Sequence, residues 1–148
     1  MTDTNSTNSA YEEMLREHAK MRNLMDELKQ LLFDRSVAIS EIASRLVLLQ
    51  AMVEVHFRTE EDSSCFPDLI SHAPRVSDKV AVLIAEHGEM TVDISELVAR
   101  TSSCQGTEED WDMVNSGFAE FEEKLMQHET VENELLQEVF TEDIGSKD

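Results

Sequence analysis

Four stretches of the chain carry apolar side chains at intervals of three and four residues, and each carries one histidine in the same register. That period puts the repeated positions on one face of an α-helix, so a fold for this chain must bury four such stripes together. The first stripe is Leu15, His18, Met21, Met25, Leu28 and Leu32, ending near Phe33. The second runs from about Ile39 to Asp62 through Ile42, Leu46, Leu49, Val53, His56 and Glu60. The third opens near Pro74, suited to a helical N1 position, and reaches Arg100 through Val76, Val80, Leu83, His87, Met90 or Thr91, Ile94 and Leu97 or Val98. The fourth follows Thr107, read as its cap, and extends to about Phe140 through Trp111, Val114, Phe118, Phe121, Leu125, His128, Glu132 and Leu135.

Four Gly and two Pro in 148 residues leave few of the turns that many short strands require. The β-branched run VSDKVAVLI would need partner strands if it were one, and the remaining sequence offers none. Ser63, Ser64 and Pro67 interrupt the second helix, and TSSCQGT makes the loop before the fourth. The expectation is an all-α, up-down-up-down antiparallel four-helix bundle with a metal site in its core. Residues 1–10 read as a flexible leader with Asn8 or Ser9 as helix caps, residues 11–144 as the domain, and residues 145–148 as a short tail.

Charge narrows the partners. With 32 acidic against 12 basic residues the formal net charge is −20, which repels nucleic acid and anionic membrane surfaces. A basic protein or electron donor is the compatible macromolecular partner, and no heptad seam beyond the bundle stripes establishes an oligomer. The polar start of the chain has no secretory character and no segment is apolar enough to span a bilayer, which gives a cytoplasmic expectation. Cys65 and Cys104 do not amount to a disulfide framework, and the methionines fill core space without forming a copper motif.

The chemistry lies in the polar members of the stripes. Four of five histidines, one per helix, sit on apolar faces: His18, His56, His87 and His128. Two are followed at i+4 by glutamate, giving His56…Glu60 and His128…Glu132, so each pair shares one helix face. Either pair alone is common in a Glu-rich chain, but glutamates aimed into a core require compensation, and a metal supplies it. Imidazoles with carboxylates suit Fe, Mn or Zn. One closed zinc site would use four donors and leave two idle, whereas two ions share all six, with Glu60 and Glu132 able to bridge and room for a bridging oxygen species.

At these residues the chain resembles the hemerythrin-like family of HHE cation-binding domains. His18 is similar to the isolated histidine of the family's first helix, and VHFRTEEDSSCFPDL to its second-helix motif, which carries ligand roles onto His56 and Glu60. AEHGEM resembles the third-helix motif, at His87, and MQHETVENELL the fourth, at His128 and Glu132. The resemblance implies two Fe ions with a bridging oxo or hydroxo species, Mn or Zn being substitutes, and a small diatomic or peroxidic ligand. It also shows two departures. Oxygen-carrying members have a second histidine one turn along helix three, where this chain has Thr91, and an HxxxxD spacing on helix four, where it has HxxxE. The missing imidazole implies an open coordination position. The reading is therefore a non-haem di-iron protein reacting with O2 or H2O2, in a redox or peroxide-decomposing role. The alternatives are a module that binds or senses oxygen, nitric oxide or iron without turnover, and an oxygen carrier or store. Thr91 and Tyr11 are the candidates beside the ligands, with Tyr11 equally suited to packing at the bundle end. Glu61 reads as a surface carboxylate, and His72 as a solvent-facing or capping residue next to Pro74.

Overall fold

The depth at which each histidine sits along its helix dictates the chain's path. The computed structural model describes residues 2–62 and 65–145, with side chains over 11–62 and 65–140. Its helices are α1 (Thr2–Asp34), α2 (Ile39–Asp62), the short α3 (Cys65–His72), a 3-10 turn at Pro74–Val76, α4 (Ser77–Ser102) and α5 (Glu108–Gly145). His56 lies one to two turns from the end of α2, while His87 lies within three turns of the start of α4. Only antiparallel neighbours bring such positions to one level. The four long helices pack in the ring α1, α2, α4, α5, the expected up-down-up-down bundle, and among the described residues there are no strands. The run VSDKVAVLI is helical from Ser77 onward.

Three details differ from the expectation. Helical backbone extends back to Thr2, so neither Asn8 nor Ser9 begins α1. Thr, Asn and Ser each cost a helix at most about 0.7 kcal/mol relative to Ala, and no Gly or Pro interrupts the run, so a helix nucleated downstream can propagate through it. Residues 146–148 of the expected tail lie outside the described residues, as do Ser63 and Ser64. The break after α2 contains a further helix: Pro67 occupies the first turn of α3, where its missing N–H costs nothing. Finally, Met14 is buried whereas Leu15 is 40% exposed, so the first stripe starts one residue earlier than read.

Both loop ends are chemically fixed. Arg35 ends α1 in the left-handed region (φ 50°), its N–H donating to the Leu31 carbonyl. Its guanidinium reaches Glu108 at 2.7 Å and lies over the Trp111 ring. Thr107 caps α5 as expected: its Oγ1 accepts the Asp110 N–H at 3.1 Å, and Asp110 Oδ2 accepts the N–H groups of Gln105, Gly106 and Thr107.

Apolar burial is divided into two clusters. One fills the end bearing the α1–α2 and α4–α5 loops, with Leu28, Ile42, Leu46, Leu49, Ile94, Val114 and Leu125 almost inaccessible. The other, under α3, gathers Met14, Cys65, Phe66, Leu69, Val80, Leu83, Leu135 and Val139. Apart from Thr101 near the end of α4, the buried polar residues occupy the level between them: His18, His56, Glu60, His87, His128 and Glu132. Because the clusters flank that layer, they carry most of the hydrophobic stabilisation. No helix among the described residues is long and apolar enough to cross a membrane.

Burial separates Met14 from its neighbour sharply enough to test. Met14→Ala is expected to destabilise the protein by about 2–5 kcal/mol, and Leu15→Ala by no more than about 0.5 kcal/mol, in urea unfolding. Equal effects would place the first stripe in the other register.

Candidate metal centre

All six donor residues expected from the sequence converge in this layer, and they form two facing groups. His18 and His56, together with Glu60 and Glu132, place ligand atoms within 4.8 Å of one another; so do His87 and His128 with the same two glutamates. Each carboxylate divides its oxygens between the groups. Glu60 Oε2 lies 3.4 Å from His56 Nε2 and 3.9 Å from His18 Nε2, while its Oε1 lies 3.1 Å from His87 Nε2. Glu132 Oε1 is 3.2 Å from His18 Nε2, and its Oε2 is 3.4 Å from His128 Nε2. Donors about 2.1 Å from a common ion stand about 3.0 Å apart across a right angle and about 3.4 Å across a tetrahedral one. Most of these separations are of that size.

Three observations fit a cation rather than a hydrogen-bonded polar core. The ring nitrogens Nε2 of His18 and His56 and all four carboxylate oxygens of Glu60 and Glu132 are buried without a hydrogen-bond partner among the described residues. Native cores rarely leave such groups unsatisfied. Next, His87 Nε2 and His128 Nε2 face each other at 3.1 Å. Their Nδ1 atoms lie 2.7 Å from Glu61 Oε2 and Glu86 Oε1, and an ionised carboxylate only accepts, so the protons belong on Nδ1. With both rings neutral in that tautomer, the two Nε2 lone pairs would face each other, a contact that a positive charge, whether a proton on His128 or a bound cation, relieves. Lastly, two carboxylates occupy one buried site beside neutral imidazoles, an arrangement unfavourable without cations.

The electrostatics reflect that conflict. Burial, reinforced by the Glu132 carboxylate, pushes Glu60 well above the usual carboxylate range. Burial alone would push Glu132 up too, but its close polar contacts with Glu60, His128 and His18 outweigh it and hold Glu132 low. Burial lowers His56 and His87 to about 3, so both are neutral donors at physiological pH. Burial opposes the charged form of His128 as well, but Glu132 and Glu86 outweigh it and raise that group.

Aromatic rings bound the layer. Phe57 stacks on His87 with centroids 3.9 Å apart and planes within 7°, and Phe66 of α3 stacks nearby at 5.6 Å. A groove of about 440 Å³ between α2 and α4 is lined by Phe57, Arg58, Glu61, His87, Gly88 and Thr91, among others. Thr91 is half-buried there, and its Oγ1 donates to the His87 carbonyl at 2.7 Å. Tyr11 packs edge-on against Phe140 in the end cluster. His72 is exposed, with Nδ1 2.9 Å from the Asp68 carbonyl, and meets Phe140 edge-on. Cys65 and Cys104 are free thiols; Cys65 is buried, 3.7 Å from the Met14 sulfur, and burial raises its thiol strongly.

Sequence reasoning missed Phe57 and Phe66, and it missed Glu17, Glu61 and Glu86 as partners of His56, His87 and His128. Glu17 Oε1 lies 3.3 Å from His56 Nδ1. The available signal was a carboxylate directly beside a candidate donor, as in Glu17-His18, Glu60-Glu61 and Glu86-His87.

The family model described as the Hemerythrin HHE cation binding domain matches residues 9–140. No curated protein and no solved structure matches the chain.

The pKa directions fix how the metal-free protein responds to pH. Between about 3 and 6.5 the unfolded chain binds protons that folded His56 and His87 refuse, so the contribution of these two residues to stability falls as pH drops below 6.5. Glu60 and His128, raised in the folded state, work oppositely: their stabilisation is present below their unfolded values and is lost as pH rises. Above pH 6.5 His56 and His87 are neutral in both states, so thermal unfolding with chelator present should show stability falling from pH 6.5 to 9 as His128 and Glu60 lose their protons. A steady rise from pH 6.5 to 9 would contradict these assignments.

Proposed function

The chain belongs to the hemerythrin HHE cation-binding family, and from that premise we propose that it is a non-haem di-iron protein that reacts with O2 or H2O2. His18 and His56 would hold one ion and His87 and His128 the other, with Glu60 and Glu132 shared between them. The observation that carries this reading is the division of both carboxylates, one oxygen toward each histidine pair, with none of those oxygens hydrogen-bonded among the described residues. A lone ion would leave half of these atoms unsatisfied. Mixed imidazole and carboxylate donors suit iron, with Mn or Zn as substitutes.

Bound as a ferrous pair, the ions would supply two electrons to a small oxidant. The protein's own residues do the rest. Nδ1 partners keep the rings of His56, His87 and His128 turned with Nε2 toward the carboxylates. Phe57 and Phe66 cover His87 with apolar surface and limit water. Thr91 contributes space rather than a proton, because its hydroxyl hydrogen is committed to the His87 carbonyl. The α2–α4 groove beside it is wide enough for a diatomic or peroxidic molecule. Repeated turnover needs either peroxide as both oxidant and reductant or an external electron donor, and the net charge of −20 suits a donor with a basic face.

Elemental analysis after anaerobic ferrous loading should give about two irons per chain, with loss of metal in Glu60→Ala and Glu132→Ala and none in His72→Ala. In stopped-flow mixing, the loaded protein should consume O2 or H2O2 and should not return O2 on degassing. Thr91→His should slow entry of the oxidant if the larger ring fits. Repeated release of intact O2 from the wild type, unchanged by Thr91→His, would favour carriage or sensing over redox reaction.

A further inference from the structure

The two halves of the centre have the same donors, two imidazoles and one oxygen from each glutamate, so any difference between them must arise from their surroundings. Those surroundings follow a rule around the bundle. Glu17 on α1 pairs with His56 on α2, Glu61 on α2 with His87 on α4, and Glu86 on α4 with His128 on α5. Each of these carboxylates is the immediate sequence neighbour of a donor, Glu17 of His18, Glu61 of Glu60 and Glu86 of His87. A helix advances about 100° per residue, so one side chain of each doublet enters the layer while its neighbour reaches the next helix. Every long helix thus supplies a donor, and α1, α2 and α4 each also orient the donor of the next long helix in the ring.

The ring does not close evenly. Both histidines of the α4–α5 half have Nδ1 partners at 2.7 Å, whereas His56 in the other half has Glu17 at 3.3 Å. The matching neighbour on α5, Glu129, follows His128 and lies toward α1, but its carboxylate is 3.6 Å from Arg22. No hydrogen bond joins it to His18 among the described residues. Packing follows the same division. His87 lies under two stacked phenyl rings, while His18 is 8% exposed, the most of the four. Carboxylate partners fix a histidine's tautomer and orientation and raise its basicity as a ligand, and losing one typically costs 10–100-fold in metal affinity.

We propose that Glu61 and Glu86 are positioning residues that make the His87/His128 half the high-affinity position, which fills first, and leave the His18/His56 half as the exchangeable one. This rests on the two-ion reading above. Neither glutamate belongs to the six-donor set, and each acts through the ring it holds.

Anaerobic Co2+ titration of the full chain, followed by calorimetry and visible absorption, separates the possibilities. The wild type should bind two ions in steps differing at least tenfold in affinity. Glu61→Gln and Glu86→Gln, which keep shape and an acceptor oxygen but remove the charge, should weaken the first step about 10–100-fold. Glu17→Gln should weaken only the second step, and His18→Ala should abolish the second while sparing the first. The singly loaded protein should show paramagnetically shifted, exchangeable imidazole N–H resonances that Glu61→Gln and Glu86→Gln displace, a signature that general destabilisation does not produce. Circular dichroism of each metal-free variant verifies folding, and Glu61→Asp and Glu86→Asp stand in for any glutamine variant that fails it, with a smaller loss at the same step. Two ions bound with equal affinity, or a first step abolished by His18→Ala, would overturn the inequality and leave the two-ion reading intact. A wild type that binds a single ion would overturn both.

Discussion

Two glutamates buried at the same level of an apolar core are the constraint on which this structure depends. Glu60 and Glu132 are 1% and 0% exposed, and no cationic side chain of Lys or Arg reaches either one among the described residues. An isolated buried carboxylate costs several kcal/mol, and two that face one another cost more. In the metal-free chain the two pKa values are driven apart, burial and the Glu132 carboxylate raising Glu60 while polar contacts hold Glu132 low. Cations moderate the cost, and binding them is then also stabilisation of the fold. The long helices make the arrangement tolerable, because apolar clusters above and below the layer supply the burial that the layer itself does not.

The same constraint organises what surrounds the donors. A neutral imidazole offers one nitrogen to the centre only if its other nitrogen keeps the hydrogen, and that hydrogen needs an acceptor. Placing the acceptor next in sequence to a donor of the preceding helix meets this need without any further element. It also carries the layer outward: Glu61 and Glu86 are 32% and 40% exposed, so the buried rings connect to solvent through single carboxylates. The groove at Gly88 and Thr91 opens on one of these connections, at His87 and Glu61 on the α2–α4 side.

Much of this was legible in the sequence because it is encoded within single helices. The i+4 pairs His56…Glu60 and His128…Glu132, the stripe that contains His87, and the Thr107 cap all depend on spacing along one chain segment. What was not legible depends on contacts between segments. Met14 and Leu15 are equally placed relative to His18 by periodicity, and Met14 is the one covered because it joins the apolar cluster under α3, 3.7 Å from the Cys65 sulfur. Helix α3 itself was hidden behind Pro67, which marks a break in one helix and a permitted first turn in another. Glu61 reads as a surface carboxylate, and nothing singles out Glu17 and Glu86 in a chain with 32 acidic residues, because the partners of all three lie on neighbouring helices. Thr91 was legible as a departure, but the engagement of its hydroxyl with the helix backbone was not.

The central claim is that one polar layer holds two ions across the same pair of carboxylates. Anomalous diffraction at the iron absorption edge, from crystals grown with ferrous iron under anaerobic conditions, tests it directly. The account predicts two peaks per chain, one bounded by His18 and His56 and the other by His87 and His128, with Glu60 and Glu132 touching both. A single peak, or iron held only by exposed carboxylates outside the layer, would contradict it.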